Sequence, residues 1–287
     1  MDSKLHPNLP PDWHPDWLKP NWPVAGLSRP AEPGVGAVMT TRHGGVSAAP
    51  FDGFNLRDSI GDAPQAVAQN RAQLARAVGA TPVWLNQVHG ARVVRLDATD
   101  AAPGAPVHDA DASVTSVPGV ACTVLVADCL PVLFAAPHGR AVGAAHAGWR
   151  GLAGGVLEAT LAAVCDAAQC APAQVQVWLG ACIGPTRFEV GADVLAAFSS
   201  STSSDLIANI SANTGAMPVP APRFVPHAPG KFLADLAGLA QDRLRAAGAV
   251  ALYGANACTV NEPSRFFSFR RDRVTGRMAA LVWLRQG

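Results

Sequence analysis

Val120–Ala127 is an apolar, valine-rich run of strand length that stops abruptly at Asp128-Cys129-Leu130-Pro131. Its length and valine content predict a strand, which needs neighbouring strands to pair with. The chain supplies such neighbours at once. Val132–Ala135 resumes as strand, Pro137-His138-Gly139-Arg140 turns, and Ala141–Ala145 returns. Cys129 and His146 fall at the edges of these strands, and residues so placed can converge at one end of a sheet.

The flanks read less sharply. Residues 1–23 form an extended arm, because Pro7, Pro10, Pro11, Pro15, Pro20 and Pro23 forbid a continuing helix, while Trp13, Trp17 and Trp22 pin it to the body. A strand at Gly36–Thr41 is followed by Asp62-Ala63-Pro64, read as an Asp-capped helix start. That helix carries Val67, Arg71, Leu74 and Val78 and ends at Gly79. Val83–Leu85 and Ala91–Leu96 read as strands around Asn86-Gln87-Val88-His89-Gly90. Leu152 to Val164 reads as one helix and Gln174–Leu179 as a strand. Gly191–Phe198 is a short helix, and a last one carries Leu233, Leu236, Leu239 and Leu244 up to Gly248. Phe266–Arg271 and Met278–Leu284 are expected to pair as a final hairpin. The small, polar segment 199–222 reads as a flexible insertion with one helical turn near Leu206–Ile210. Strands outnumber helices and follow one another directly, so the fold class is α+β, with mixed or antiparallel sheets at the centre and helices outside. No linker divides 24–287, which is taken as a single domain.

Composition removes several functions. Lys plus Arg (22) nearly balance Asp plus Glu (21), giving a net charge of +1 and no field for nucleic acid or an anionic membrane. No stretch reaches about 18 apolar residues and the amino end lacks a secretory apolar run, so the expected location is the cytoplasm. Six cysteines without CxxC spacing then read as free thiols. No coiled-coil pattern appears, and a monomer is expected.

The chemistry-bearing residues sit at strand edges. His89, Cys129 and His146 each lie beside a tight turn, a glycine or a proline; a His/Cys/His set would leave one corner of a metal tetrahedron open, the catalytic arrangement. The same residues admit a thiol nucleophile beside a histidine, or plain packing. Gly148-Trp149-Arg150-Gly151 opens a helix, where backbone N–H groups and Arg150 suit an anion. Thr40-Thr41-Arg42-His43-Gly44-Gly45 sets Arg42 between a strand and a glycine pair. Arg265, Arg270, Arg271, Arg273 and Arg277 crowd the carboxyl end, as a solvated surface or with one turned toward an anion. Asp109-Ala110-Asp111 offers buried caps, and Asp128 could orient a ligand.

Together these blocks resemble the YfiH-type laccase-domain family, also described as multicopper polyphenol oxidase-like or purine nucleoside phosphorylase-like. The matching stretches are Thr40–Ser47, Trp84–Gly90, Ala127–Pro131, His146–Gly151, Ile183-Gly184-Pro185 with Phe188-Glu189-Val190, and Ser268–Arg271 before Thr275-Gly276-Arg277. The resemblance spans about Thr40 to about Trp283. It implies a compact α+β fold and a zinc site formed by His89, Cys129 and His146. It also implies phosphorolysis of purine nucleosides and methylthioadenosine, and hydrolytic deamination of adenosine, with nucleoside and phosphate as the partners. Catalytic roles are then expected of Cys129, Asp128 (as proton shuttle), Arg150 and Arg42, and substrate or phosphate contacts of Arg42, Gln87, Arg150, Gly151 and Arg270. A copper-dependent phenol oxidase and an editor of peptidoglycan precursors are the alternatives. Ala181, Thr186, Phe188 and Ala240 depart from the family pattern, where proline, cysteine, tyrosine and asparagine are usual.

Overall fold

Every residue of Val120–Val126 is buried, and the segment forms a strand between two partners in the middle of a sheet. The computed structural model describes residues 13–21, 34–199 and 222–286. The strands are β1 (Val35–Met39), β2 (Thr81–Val83), β3 (Val93–Leu96), β4 (Ala112–Thr115), β5 (Val120–Val126), β6 (Leu130–Ala135) and β7 (Val142–Ala147). They continue with β8 (Gln176–Leu179), β9 (Glu189–Gly191), β10 (Phe224–Ala228), β11 (Lys231–Ala234), β12 (Ala251–Gly254) and β13 (Met278–Leu284). The helices are α1 (Pro64–Val78), α2 (Trp149–Ala153), α3 (Val156–Ala168), α4 (Ala192–Ser199), α5 (Leu236–Ala246) and the single turn α6 (Phe269–Asp272).

Two mixed sheets dominate. One runs β1-β13-β5-β2 and the other β12-β8-β6-β7-β4-β3; a third, β10-β11-β9, is small and antiparallel. Alternation along the strands shows how the layers stack. In β5, Val120, Cys122, Val124 and Val126 face the six-stranded sheet, where they meet Leu133 and Ala135 of β6 and Val142 and Ala144 of β7. Their alternates Ala121 and Leu125 face the other way, against Leu74 and Val78 of α1 and Trp17 of the arm. The opposite face of the six-stranded sheet, with Leu130, Val132 and Phe134, packs on Leu157, Leu161 and Val164 of α3 and Leu239 and Leu244 of α5. The result is helix, sheet, sheet, helix in one continuous α+β body.

Several local readings change. β13 does not form a hairpin with Phe266–Arg271; it lies between β1 and β5, antiparallel to both. All seven of its residues are buried, so two covered faces satisfied its apolar pattern better than an edge hairpin would. Ser268 instead caps α6, its hydroxyl accepting from the Arg271 N–H at 3.2 Å. The single helix read from Leu152 to Val164 is broken into α2 and α3 at Gly154-Gly155, where Gly155 has φ 90°. Leu233 belongs to β11 rather than to the last helix. Asp62 does not cap α1, whose N-cap is Ala63. Its Oδ2 accepts from Ser47 Oγ and Asn55 Nδ2, both at 2.7 Å, which ties the preceding loop together. Gly79 ends α1 in the left-handed region, as read.

The arm is anchored where it is described. Trp17 is buried against Phe54, Trp13 Nε1 donates to the Ala77 carbonyl at 2.6 Å, and Leu18 pairs with Met39. Burying Trp17 and the part of Trp13 that packs on Trp283 contributes about 1.5–3 kcal/mol per large side chain. Residues 1–12, Trp22 and Pro23, and the insertion and helical turn read within 199–222 apart from its end residues, lie outside the described residues. Among the described residues, no helix is long and apolar enough to cross a membrane.

Candidate active site

The antiparallel register of β6 and β7 brings two of the three candidate ligands together. Leu130 pairs with Ala147 and Pro131 with His146, so Cys129, one residue before β6, stands opposite Gly148, one residue after β7. A Cβ added to Gly148 would lie 3.0 Å from Cys129 Sγ and 3.2 Å from His89 Cδ2. Only glycine leaves that approach open.

His89 arrives from the β2–β3 loop, with φ 60°. A buried carboxylate holds it there. Asp111, directly before β4, accepts the backbone N–H groups of Val88 (3.1 Å), His89 (2.9 Å) and Gly90 (2.7 Å). Its Oδ1 also lies 2.8 Å from Nδ1 of His146. A carboxylate only accepts, so His146 Nδ1 carries a proton and Nε2 is the nitrogen left to act as a ligand. Burying such a charge costs several kcal/mol unless its lone pairs are occupied, and here four donors occupy them. Burial alone would raise the Asp111 pKa; the His146 and backbone hydrogen bonds reverse this and hold it below the ordinary carboxylate value.

His89, Cys129 and His146 thus converge: one donor atom from each lies within 4.8 Å of the others, and the two rings sit edge to face at 4.8 Å. Burial pushes the Cys129 thiol up, but the neighbouring imidazoles of His146 and His89 outweigh it and bring it down to about 6. Burial conversely lowers His146, and the Cys129 sulfur with the Asp111 carboxylate raises it to about 9. Each charged form, thiolate and imidazolium, thus favours the other. One thiolate, two imidazoles, an orienting carboxylate behind and an open side in front fit a divalent ion in a catalytic coordination.

His89 and Cys129 of the cluster line a cleft of about 270 Å³, while His146 is buried. Trp149, Phe188, Leu236 and Phe269 supply apolar walls, and Arg150 and Arg270 supply positive charge. Arg150 lies over the Trp149 ring at 4.3 Å, and Arg270 over Phe188 at 5.6 Å, with Nη1 donating to the Glu189 carbonyl. Neither guanidinium has a carboxylate partner among the described residues.

The remaining candidates are distributed otherwise. Asp128 lines the cleft, yet Oδ1 accepts from Thr259 Oγ1 and Oδ2 from the Arg270 N–H, both at 2.6 Å. It fastens the β5–β6 turn, where its own φ is 92°, to the segment carrying Arg270. The orienting role read for Asp128 falls geometrically to Asp111. Arg42 is not in the cleft; it pairs with Asp52 at 3.0 Å and donates to the Pro263 carbonyl at 2.9 Å. Gln87 is a structural clip, its amide bonded both ways to the backbone of Leu125. Gly151 serves packing, since a Cβ there would lie 2.6 Å from the Gly90 carbonyl oxygen. Sequence reasoning missed the aromatic walls Phe188 and Phe269 and the opening at Gly148. A glycine directly after a candidate ligand-bearing strand was the available signal.

The chain matches the family model for multi-copper polyphenol oxidoreductase laccase over residues 36–285. It is 46% identical to a Pseudomonas aeruginosa protein named purine nucleoside phosphorylase PA4543 over 269 residues, covering 93% of this chain and 98% of that one. Identity to purine nucleoside phosphorylase YfiH of Escherichia coli is 42% over 271 residues, covering 93% and 98%. Among solved structures, Neisseria meningitidis protein NMB0706 superposes with a TM-score of 0.79 at 43% identity, covering 94% of this chain and all of that one. YlmD from Geobacillus stearothermophilus gives 0.80 at 31% identity, covering 94% and 96%. On the fold, the ordered motifs and these likenesses, the chain belongs to the YfiH-type laccase-domain family.

Proposed function

We propose that this protein is a zinc-dependent enzyme that cleaves purine nucleosides by phosphorolysis, with His89, Cys129 and His146 as metal ligands. The observation that carries the proposal is the composition of a single cleft: His89 and Cys129 of the metal-capable cluster, aromatic walls, and two guanidinium groups without carboxylate partners among the described residues. A purine nucleoside needs a flat apolar slot, and phosphate needs fixed cations; Phe188 and Phe269 suit the first, Arg150 and Arg270 the second. The relatives named purine nucleoside phosphorylase support the same substrate class.

In phosphorolysis a phosphate oxygen bonds to C1′ of the ribose as the bond from C1′ to the purine nitrogen breaks, and the departing base takes the electron pair and a proton. Arg150 and Arg270 neutralise and orient the attacking phosphate, which converts a bimolecular encounter into a positioned one. Asp128 holds the Arg270 backbone in place, and Asp111 fixes the direction of His146. When bound, the metal supplies Lewis-acid polarisation of the substrate. Deamination of adenosine and phosphorolysis of methylthioadenosine are proposed as further reactions of the same cleft, since both substrates present the same flat base.

A His/Cys/His set is also the donor set of mononuclear blue copper sites, so the donor chemistry itself favours copper as a second reading. Incubating metal-loaded protein with inosine or adenosine, with and without phosphate, and identifying products by mass tests both. Phosphate-dependent hypoxanthine from inosine supports the proposal. Oxygen uptake on a phenol, with an intense thiolate-to-copper absorption and no nucleoside turnover, supports copper.

A further inference from the structure

We propose that His14, Asp16 and His43 form a second divalent-metal site, which clamps the amino-terminal arm to the loop following β1. The three residues come from two chain segments. His43 Nδ1 lies 2.6 Å from Asp16 Oδ2, and His14 Nδ1 lies 3.9 Å from that same oxygen and accepts the Asp16 N–H at 3.3 Å, a bond that a metal taken at this nitrogen displaces. One donor atom from each falls within 4.8 Å of the others. Donors around tetrahedral zinc at about 2.0–2.1 Å lie roughly 3.4 Å apart, so small side-chain rotations bring these three to bonding distance. The two rings are 5.6 Å apart and tilted by 45°, converging on the carboxylate instead of stacking.

The surroundings keep the donors in place. On one side of His14 and Asp16, Trp13 is hydrogen-bonded to the Ala77 carbonyl; on the other, Trp17 is buried and Leu18 exchanges backbone hydrogen bonds with Met39. His43 follows Arg42, whose charge is met by Asp52, and precedes Gly44. Gly44 has φ 96°, and a Cβ there would stand 3.0 Å from His14 Cδ2, so the glycine both makes the turn and leaves room for the ring. Two imidazoles and a carboxylate suit zinc, cobalt or nickel, with water completing the shell on the exposed side. No sulfur is involved, which separates this site spectroscopically from the cleft. A metal bound only when the arm is docked stabilises the docked state by mass action.

The test uses untagged full-length protein, stripped of metal and titrated with Co²⁺. The wild type is expected to take up two ions per chain, one for each cluster. One shows thiolate-to-cobalt charge transfer from Cys129, and the other shows ligand-field bands alone. His43→Ala and, separately, His14→Ala should abolish the sulfur-free component and leave the charge-transfer component unchanged. Asp16→Asn should weaken the sulfur-free component at least about tenfold, since losing even an outer-shell partner costs about that much. With zinc, hydrogen exchange at the Leu18 amide should slow in the wild type and not in His43→Ala. Uptake of a single ion, or a sulfur-free component that survives both histidine substitutions, overturns the proposal. Thermal unfolding of each variant checks that it folds, and His14→Ala, on the surface arm, serves if His43→Ala does not.

Discussion

Asp111 and His146 share a hydrogen bond of 2.8 Å in which the carboxylate fixes the tautomer of the imidazole, while the same carboxylate gathers the backbone of residues 88–90. One buried side chain thus positions two of the three metal-capable residues. Asp111→Asn keeps the shape but removes the charge and puts an NH₂ where an acceptor is needed. It should reduce metal affinity about 10–100-fold, the usual effect of losing an orienting carboxylate. Competition for zinc with a chromophoric chelator measures this directly; unchanged affinity would remove Asp111 from the site's design.

The thiolate predicts its own reactivity. In metal-free protein, alkylation of Cys129 by iodoacetamide should follow a midpoint near pH 6, set against the ordinary thiol value near 8.5. Between about 6 and about 9 His146 is protonated, so zinc binding must expel its proton. Calorimetry at pH 7.5 in buffers of different ionisation enthalpy should show release of about one proton per ion bound in the cleft. Zinc should also protect Cys129 from the reagent.

Gly148→Ala tests the packing of the cluster. Its new methyl would meet Cys129 Sγ at 3.0 Å and His89 Cδ2 at 3.2 Å, so both side chains must give way. Overpacking of this kind costs about 1–3 kcal/mol. Turnover and zinc affinity should fall by more than about tenfold while the protein stays folded by circular dichroism, since displacement by about 1 Å costs about 10²-fold in catalysis.

His89, Cys129 and His146 were legible because each ends an apolar run beside a glycine, a turn or a proline. The β6–β7 pair was legible because its turn lies between two short apolar strands. β13 was misplaced because an all-apolar segment records only that both faces are covered, not which strands cover it. Asp111 sat in plain view in Asp109-Ala110-Asp111, but its partners lie 21 to 35 residues away, beyond local pattern. Arg42 looked like an anion ligand because sequence cannot show that Asp52 already takes its charge.

Away from the cleft, burial pushes the Cys122 thiol up to about 12. In the unfolded chain this thiol ionises near 8.5. Below that pH both states hold the proton and Cys122 makes no difference. As pH rises above it, the unfolded state alone loses the proton, so stability falls by about 1.4 kcal/mol per pH unit until the folded thiol also ionises. Urea unfolding at pH 8 and 10.5 should show the wild type losing about 2–3 kcal/mol more than Cys122→Ala over that interval. Parallel losses in the two proteins would contradict this assignment.

Arg150→Ala and Arg270→Ala should each raise KM for phosphate more than for inosine, as removal of a charge-assisted contact costs about 1.5–3 kcal/mol. Equal effects on both substrates would place the anion elsewhere.

The central claim, that the His89/Cys129/His146 cluster carries the reaction, is tested most directly by phosphate-dependent hypoxanthine release from inosine as zinc is returned to metal-free protein. No turnover is expected before addition, with recovery in step with filling of the sulfur-containing site and no recovery in Cys129→Ala. Full turnover by the metal-free enzyme, or by that variant, would contradict it.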